Sequence, residues 1–129
     1  SYSAAISACE KGRQWESALA LIKEMLEQIL EPEVITYNAA ISACAKAERW
    51  DWALELLEDV QRIQLLPDVI TYNAVISACE KGRMGTEALE LIGEMKQRRV
   101  HADIITFSSA ISACEKAQQW ERALELIGE

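Results

Sequence analysis

Four cysteines and one histidine are the residues of this 129-residue chain best equipped for covalent or metal chemistry. Cys9, Cys44, Cys79 and Cys114 stand 35 residues apart, and His101 is alone. A metal site needs several ligands converging, commonly through C-x-x-C pairs. No such pair occurs, and one histidine cannot complete a set. A disulfide framework fails on geometry. Equivalent points on stacked helical units lie roughly 8–10 Å apart, beyond the ~7 Å within which two Cα atoms can be bridged. The thiols are expected to be small buried packing residues in a reducing compartment. With no nucleophile–base arrangement and no phosphate-cradling glycine loop, neither an enzyme nor a cofactor is expected.

The cysteine interval governs the whole chain. SYSAAISACEKG at 1–12 returns as TYNAAISACAKA at 36–47, TYNAVISACEKG at 71–82 and TFSSAISACEKA at 106–117. Tyr2, Tyr37, Tyr72 and Phe107 keep the interval, as do Ile6, Ile41, Ile76 and Ile111. A fixed period of this size marks stacked repeats in which each unit contacts only its neighbours. The units are expected at about 1–33 (partial), 34–68, 69–103 and 104–129 (partial), a slice of a longer array with no targeting segment visible.

Two elements must carry each unit. Tyr72, Val75, Ile76 and Cys79 fall at i, i+3, i+4 and i+7, an amphipathic helix. Gly82 suits the left-handed residue beyond its end. Trp50, Ala53, Leu54 and Leu57 give the second helix the same spacing, and Trp52 and Leu56 broaden its apolar side. The turn near 46–49 is short, which forces an antiparallel hairpin. Pro67-Asp68 and Glu31-Pro32-Glu33 close one unit and open the next, with Asp68 and Asp103 as candidate caps and Thr71 and Thr106 as rivals for that role. Nothing reads as a strand. The expected fold is all-α, a right-handed α-solenoid of antiparallel helical hairpins. Trp15, Trp50 and Trp120 share one position and should be buried between helices rather than stack on bases.

Half the residues are apolar, ample for a core, yet no run approaches the ~18 uninterrupted apolar residues of a membrane span. Net charge is −8. Residues 34–68 carry six acids and three bases, whereas 69–103 carry five of each. Acids of the second helices (Glu55, Glu58, Asp59, Glu90, Glu94, Glu125) should face outward. Glu10, Glu80 and Glu115 each sit one residue before a lysine, with Ala45 breaking the series, so the inner surface is expected to be nearly neutral.

VITYNAVISACEKGRMGTEALELIGEMKQRRVHAD, residues 69–103, resembles the pentatricopeptide repeat, the 35-residue RNA-reading hairpin of organelle proteins. The resemblance covers the whole chain. It rests on the T-Y-N opening, the Cys-x-Lys near the end of the first helix, A-L-E-L with E-M in the second, and the closing Pro-Asp. The tetratricopeptide signature W-x₂-L-G-x₂-Y is absent.

The resemblance implies that each repeat reads one base of single-stranded RNA with two or three side chains. The readers would be the residue after the aromatic and the last residue of the unit: Asn38 with Asp68, and Asn73 with Asp103, both uracil-preferring. Ser3 with Glu33 leaves its base undecided, and Ser108, whose partner would fall past Glu129, leans toward a purine. Ile35, Ile70 and Ile105 would sandwich the bases, and Lys11, Lys46, Lys81 and Lys116 would reach phosphates. The roles are chemically coherent. An asparagine offers both donor and acceptor, and Asn73 to Lys81 spans about 12 Å along a helix. The implied compartment is a mitochondrion or plastid. Stacking contributes ~1–3 kcal/mol per base against an association cost of roughly 4–15 kcal/mol, so residues 1–129 alone should bind RNA weakly. A second reading stays open, a scaffold that holds protein subunits of a larger organellar assembly.

Overall fold

The apolar spacing yields helices wherever the chain is described, residues 5, 6, 8, 14–27 and 33–117 of a computed structural model. Among the described residues six helices of 13 residues follow one another: α1 (Trp15–Glu27), α2 (Val34–Lys46), α3 (Trp50–Arg62), α4 (Val69–Lys81), α5 (Gly85–Gln97) and α6 (Ile104–Lys116). The starts of α2, α4 and α6 are 35 residues apart, and so are those of α1, α3 and α5. No strand occurs among the described residues. The chain is an α-solenoid of antiparallel hairpins.

Each inner helix buries the stripe its sequence announces. Tyr72, Val75, Ile76 and Cys79 of α4 are fully buried, as are Tyr37, Ala40, Ile41 and Cys44 of α2. Outer α3 buries Ala53, Leu56, Leu57 and Val60, again at i, i+3, i+4 and i+7. This face is turned from the expected one: Trp50 and Leu54 are only half-buried, because α3 lies in the notch between α2 and α4 and must cover both. Each large side chain withdrawn from water contributes ~1.5–3 kcal/mol.

The two layers differ in spacing. Inner helices pack directly, α2 on α4 and α4 on α6, whereas among the described residues no outer helix packs backbone to backbone on the next. Long side chains bridge the outer gaps. Trp15 lies against Trp52 with ring centroids 6.3 Å apart, and Gln61 donates to Glu94 at 3.1 Å. A stack tight on one side and open on the other curves toward the tight side, which puts α2, α4 and α6 on the concave surface.

Helix stops follow one scheme. After α4, Arg83 N–H donates to the Glu80 carbonyl and Met84 N–H to the Cys79 carbonyl, at 3.2 and 2.8 Å. This is the Schellman closure, and it requires a left-handed residue between. That residue is Arg83 (φ 60°), with Glu48 (59°), Gln64 (66°) and Arg99 (59°) after α2, α3 and α5. Gly82, expected there, has φ −85°. Its lack of a side chain serves a close approach instead: a Cβ on Gly82 would lie 2.4 Å from Trp50 Cδ1.

Trp15, Trp50 and Trp52 are half-buried rather than buried. Trp15, on an outer helix, carries the Arg49 guanidinium 4.6 Å from its ring centroid and Trp52 against it, so it is no base platform. Trp120 lies outside the described residues. Glu94 departs from the outward expectation. It is half-buried and accepts from Tyr72 Oη at 2.8 Å as well as from Gln61.

Candidate nucleic-acid interface

The concave surface is built at the seams between hairpins. Asp68 leaves the linker in extended conformation and caps α4, accepting the Thr71 N–H on Oδ1 at 2.9 Å. Its own N–H donates to Thr71 Oγ1 at 3.2 Å. Asp103 and Thr106 repeat this at α6, at 3.0 and 3.1 Å. Aspartate suits the N-cap because its short carboxylate reaches the N3 amide. Glu33, one methylene longer, occupies the N-cap of α2 with no side-chain cap bond. The threonines are therefore not rival caps but the N3 halves of reciprocal capping boxes.

An asparagine from the preceding inner helix completes each seam. Asn38 Nδ2 donates to Asp68 Oδ1 at 3.3 Å, and Asn73 Nδ2 to Asp103 Oδ1 at 3.1 Å. Thr71 Oγ1 donates to Asn38 Oδ1, and Thr106 Oγ1 to Asn73 Oδ1. The Asn38–Asp68 and Asn73–Asp103 pairs thus touch, and each is joined by a buried threonine. That third member was missed. Its signal was present in D-x-x-T, the spacing of a capping box.

The electrostatics follow the contacts. Burial pushes the Asp68 carboxyl up, but the Thr71 N–H and hydroxyl and the Asn38 amide outweigh it and hold it below the ordinary aspartate range. The Thr106 N–H first, then the Asn73 amide, do the same for Asp103. Both stay ionised and hydrogen-bond-accepting at neutral pH.

Ile35, Ile70 and Ile105 project into solvent, 69%, 61% and 61% exposed. Each lies three residues before Asn38, Asn73 or Ser108, hence on the same helix face. Ser108 is exposed, and so is Glu33. The lysines lie farther along the inner helices. Lys81 Nζ donates to the Ala45 carbonyl at 3.4 Å, whereas Lys116 pairs with Glu80; each reaches back to the preceding inner helix. Lys46 is exposed. Ser3 and Lys11 lie outside the described residues.

The opposite side is unsuited to phosphate. Between α3 and α5 a groove of about 300 Å³ is lined by Glu58, Glu87, Glu90 and Glu94 with Leu54 and Leu57. Cys44, Cys79 and Cys114 are buried. Burial first, then the nearby Asp51 and Glu87, push the Cys44 and Cys79 thiols up to about 12, which makes them poor nucleophiles. Cys9 lies outside the described residues. Among the described residues no group of His, Cys, Asp and Glu could hold a metal, and no helix is long and apolar enough to cross a membrane.

The sequence profile of the PPR repeat family matches residues 32–81 and 67–116; that of the pentatricopeptide repeat domain matches 1–47, and that of the PPR repeat 105–129. No curated protein sequence matches the chain. Among solved structures the chain is similar to the pentatricopeptide repeat protein PPR10 from maize, with TM-score 0.83 and 21% identity, covering 98% of this chain and 18% of that one. PPR10 in complex with an 18-nt psaJ RNA element gives TM-score 0.78 and 23% identity over 98% of this chain and 19% of that one. The PPR domain of Arabidopsis thaliana protein-only RNase P 1, in complex with tRNA, gives TM-score 0.85 and 14% identity over 99% and 70%. The chain thus spans about a fifth of the length of PPR10.

Proposed function

The chain belongs to the pentatricopeptide repeat family, and from that membership we propose that it binds single-stranded RNA along the strip formed by α2, α4 and α6, one base to a hairpin. Asn38 with Asp68 and Asn73 with Asp103 read uracil; Ser108 leans to a purine, and the base at Ser3 and Glu33 is unassigned. Ile35, Ile70 and Ile105 cover the base faces, and Lys11, Lys46, Lys81 and Lys116 follow the phosphates. The role is binding without catalysis, in a mitochondrion or plastid.

One observation carries this reading. The Asn–Asp–Thr arrangement recurs at two successive seams of the strip, beside an apolar side chain held in water. An exposed isoleucine costs free energy unless something covers it, and a base is a flat apolar partner. That PPR10 is seen with an RNA element and the RNase P 1 domain with tRNA supports the ligand class.

The test is a titration of oligouridine and oligoadenosine at two salt concentrations, with an array containing these residues and with its Asn38→Ala and Asn73→Ala variants. Oligouridine should bind more tightly, and each substitution should reduce the preference by roughly tenfold, the worth of one specific hydrogen bond. A preference that ignores both changes removes the reading scheme. The scaffold reading has one observation in its favour, the Lys116–Glu80 pair that neutralises a cation on the strip. Absence of RNA binding at low salt would select it.

A further inference from the structure

We propose that Thr71 and Thr106 are positioning residues for base selection: each fixes which way round the preceding hairpin presents its asparagine amide, and thereby separates uracil from cytosine. The inference rests on the reading that Asn38 and Asn73 face bases.

An asparagine amide can turn over, exchanging its oxygen and its NH₂ with little change in shape. Here both ends are engaged. The nitrogen end meets Asp68 Oδ1, which only accepts, and the oxygen end meets Thr71 Oγ1. The hydroxyl has one proton and already accepts the Asp68 N–H. Asn38 Oδ1 is its nearer acceptor, Asp68 Oδ1 lying 2.9 Å away, so the proton points at the amide oxygen. Turning the amide over would set its oxygen against the carboxylate and leave that hydroxyl proton without the amide oxygen. Thr71 and Thr106 have no solvent exposure, so with the amide oxygen gone each hydroxyl proton could turn only to the cap carboxylate and would leave the amide. The second seam repeats the geometry with Asn73, Asp103 and Thr106.

The orientation has a chemical consequence. Along its Watson–Crick edge uracil places an acceptor oxygen beside a donor N–H, whereas cytosine places a donor NH₂ beside an acceptor nitrogen. The two orders are reversed. A free amide serves either base by turning over; a locked amide serves one. Selectivity at Asn38 therefore depends on a residue in the following hairpin. Thr36 occupies the same place at the first seam and is buried too, but Glu33 supplies no cap bond there.

The experiment compares an array containing these residues with its Thr71→Val and Thr71→Ser variants at low salt, using oligouridine, oligocytidine and oligoadenosine, and records the side-chain NH₂ resonances of Asn38 and Asn73. Thr71→Val should lower the uridine-to-cytidine ratio by several-fold toward parity and leave uridine over adenosine in place. Thr71→Ser, which keeps the hydroxyl, should restore the ratio. The Asn38 NH₂ signals should move toward those of a solvated asparagine while those of Asn73 stay. Simple loss of the cap would weaken all three oligonucleotides together and cannot shift one ratio alone. An unchanged uridine-to-cytidine ratio in Thr71→Val overturns the proposal. If wild type shows no base preference at all, base reading fails, and the resonances still decide the lock: unmoved Asn38 signals overturn it. Thr106→Val, read at Asn73, provides the same test at the other seam should Thr71→Val not fold.

Discussion

Tyr72 and Tyr37 occupy one register in successive inner helices, and both are fully buried, yet their hydroxyls fare differently. Tyr72 Oη donates to Glu94 at 2.8 Å; burial first, then this carboxylate, push its pKa well up. Tyr37 Oη has no hydrogen-bond partner among the described residues. The residue in the place of Glu94 is Asp59, one methylene shorter and drawn off by Arg62 at 2.6 Å. A hydroxyl bonded to a charged group stabilises, whereas a buried unpaired one costs free energy. Tyr72→Phe should therefore lower stability by about 2 kcal/mol, while Tyr37→Phe should be neutral or stabilising. Urea unfolding midpoints of the two variants decide this, and equal losses would refute it. Sequence could not separate these tyrosines, because Asp59 and Glu94 are both acids in the same register. The difference lies in reach and in competing partners, which emerge only from packing.

At the scale of the element, neighbouring residues at a helix stop respond oppositely to glycine. Arg83 holds the left-handed conformation at the end of α4, a strain of about 1 kcal/mol for a residue with a Cβ. Arg83→Gly should raise the unfolding midpoint, and Gly82→Ala should lower it, because the new Cβ would drive into the Trp50 indole. A fluorescence change in Gly82→Ala that vanishes in a Trp50→Phe background would locate the clash. The helices themselves were readable, since the 3.6-residue spacing of Tyr72, Val75, Ile76 and Cys79 translates directly into a buried face. The stop was readable in place but not in detail. Glycine at 82 matches a stop signal, yet Ala47 closes α2 with the same hydrogen bonds, so the closure does not depend on that side chain. The Asn–Asp pairs were singled out only through family resemblance. The threonine that joins them was visible as a letter, and its second bond crosses 33 residues of chain, beyond any local pattern.

For the whole molecule, charge sets the limit. A net charge of −8 opposes an anionic ligand, and within a Debye length of ~8 Å the concave strip must supply its own cations. Lys116 is held by Glu80, whereas among the described residues Lys81 meets only a carbonyl, because Ala45 stands where the acid would be. Glu80→Ala should release Lys116, raise affinity for single-stranded RNA, and steepen the slope of log affinity against log salt by about 0.7, one phosphate's worth. An unchanged slope would show that Lys116 does not reach the backbone.

The Asn–Asp–Thr contact also bears on how such arrays lengthen and how they can be recombined. Its three members straddle a seam, so the contact belongs to no single hairpin. A tandem copy of residues 34–68 or 69–103 keeps the 35-residue interval and regenerates the contact in frame. Grafts that swap whole hairpins would re-form the contact only where the next hairpin opens with a threonine at the place of Thr71, as Thr36 and Thr106 do. Cassettes cut to keep 38, 68 and 71 together carry it whole.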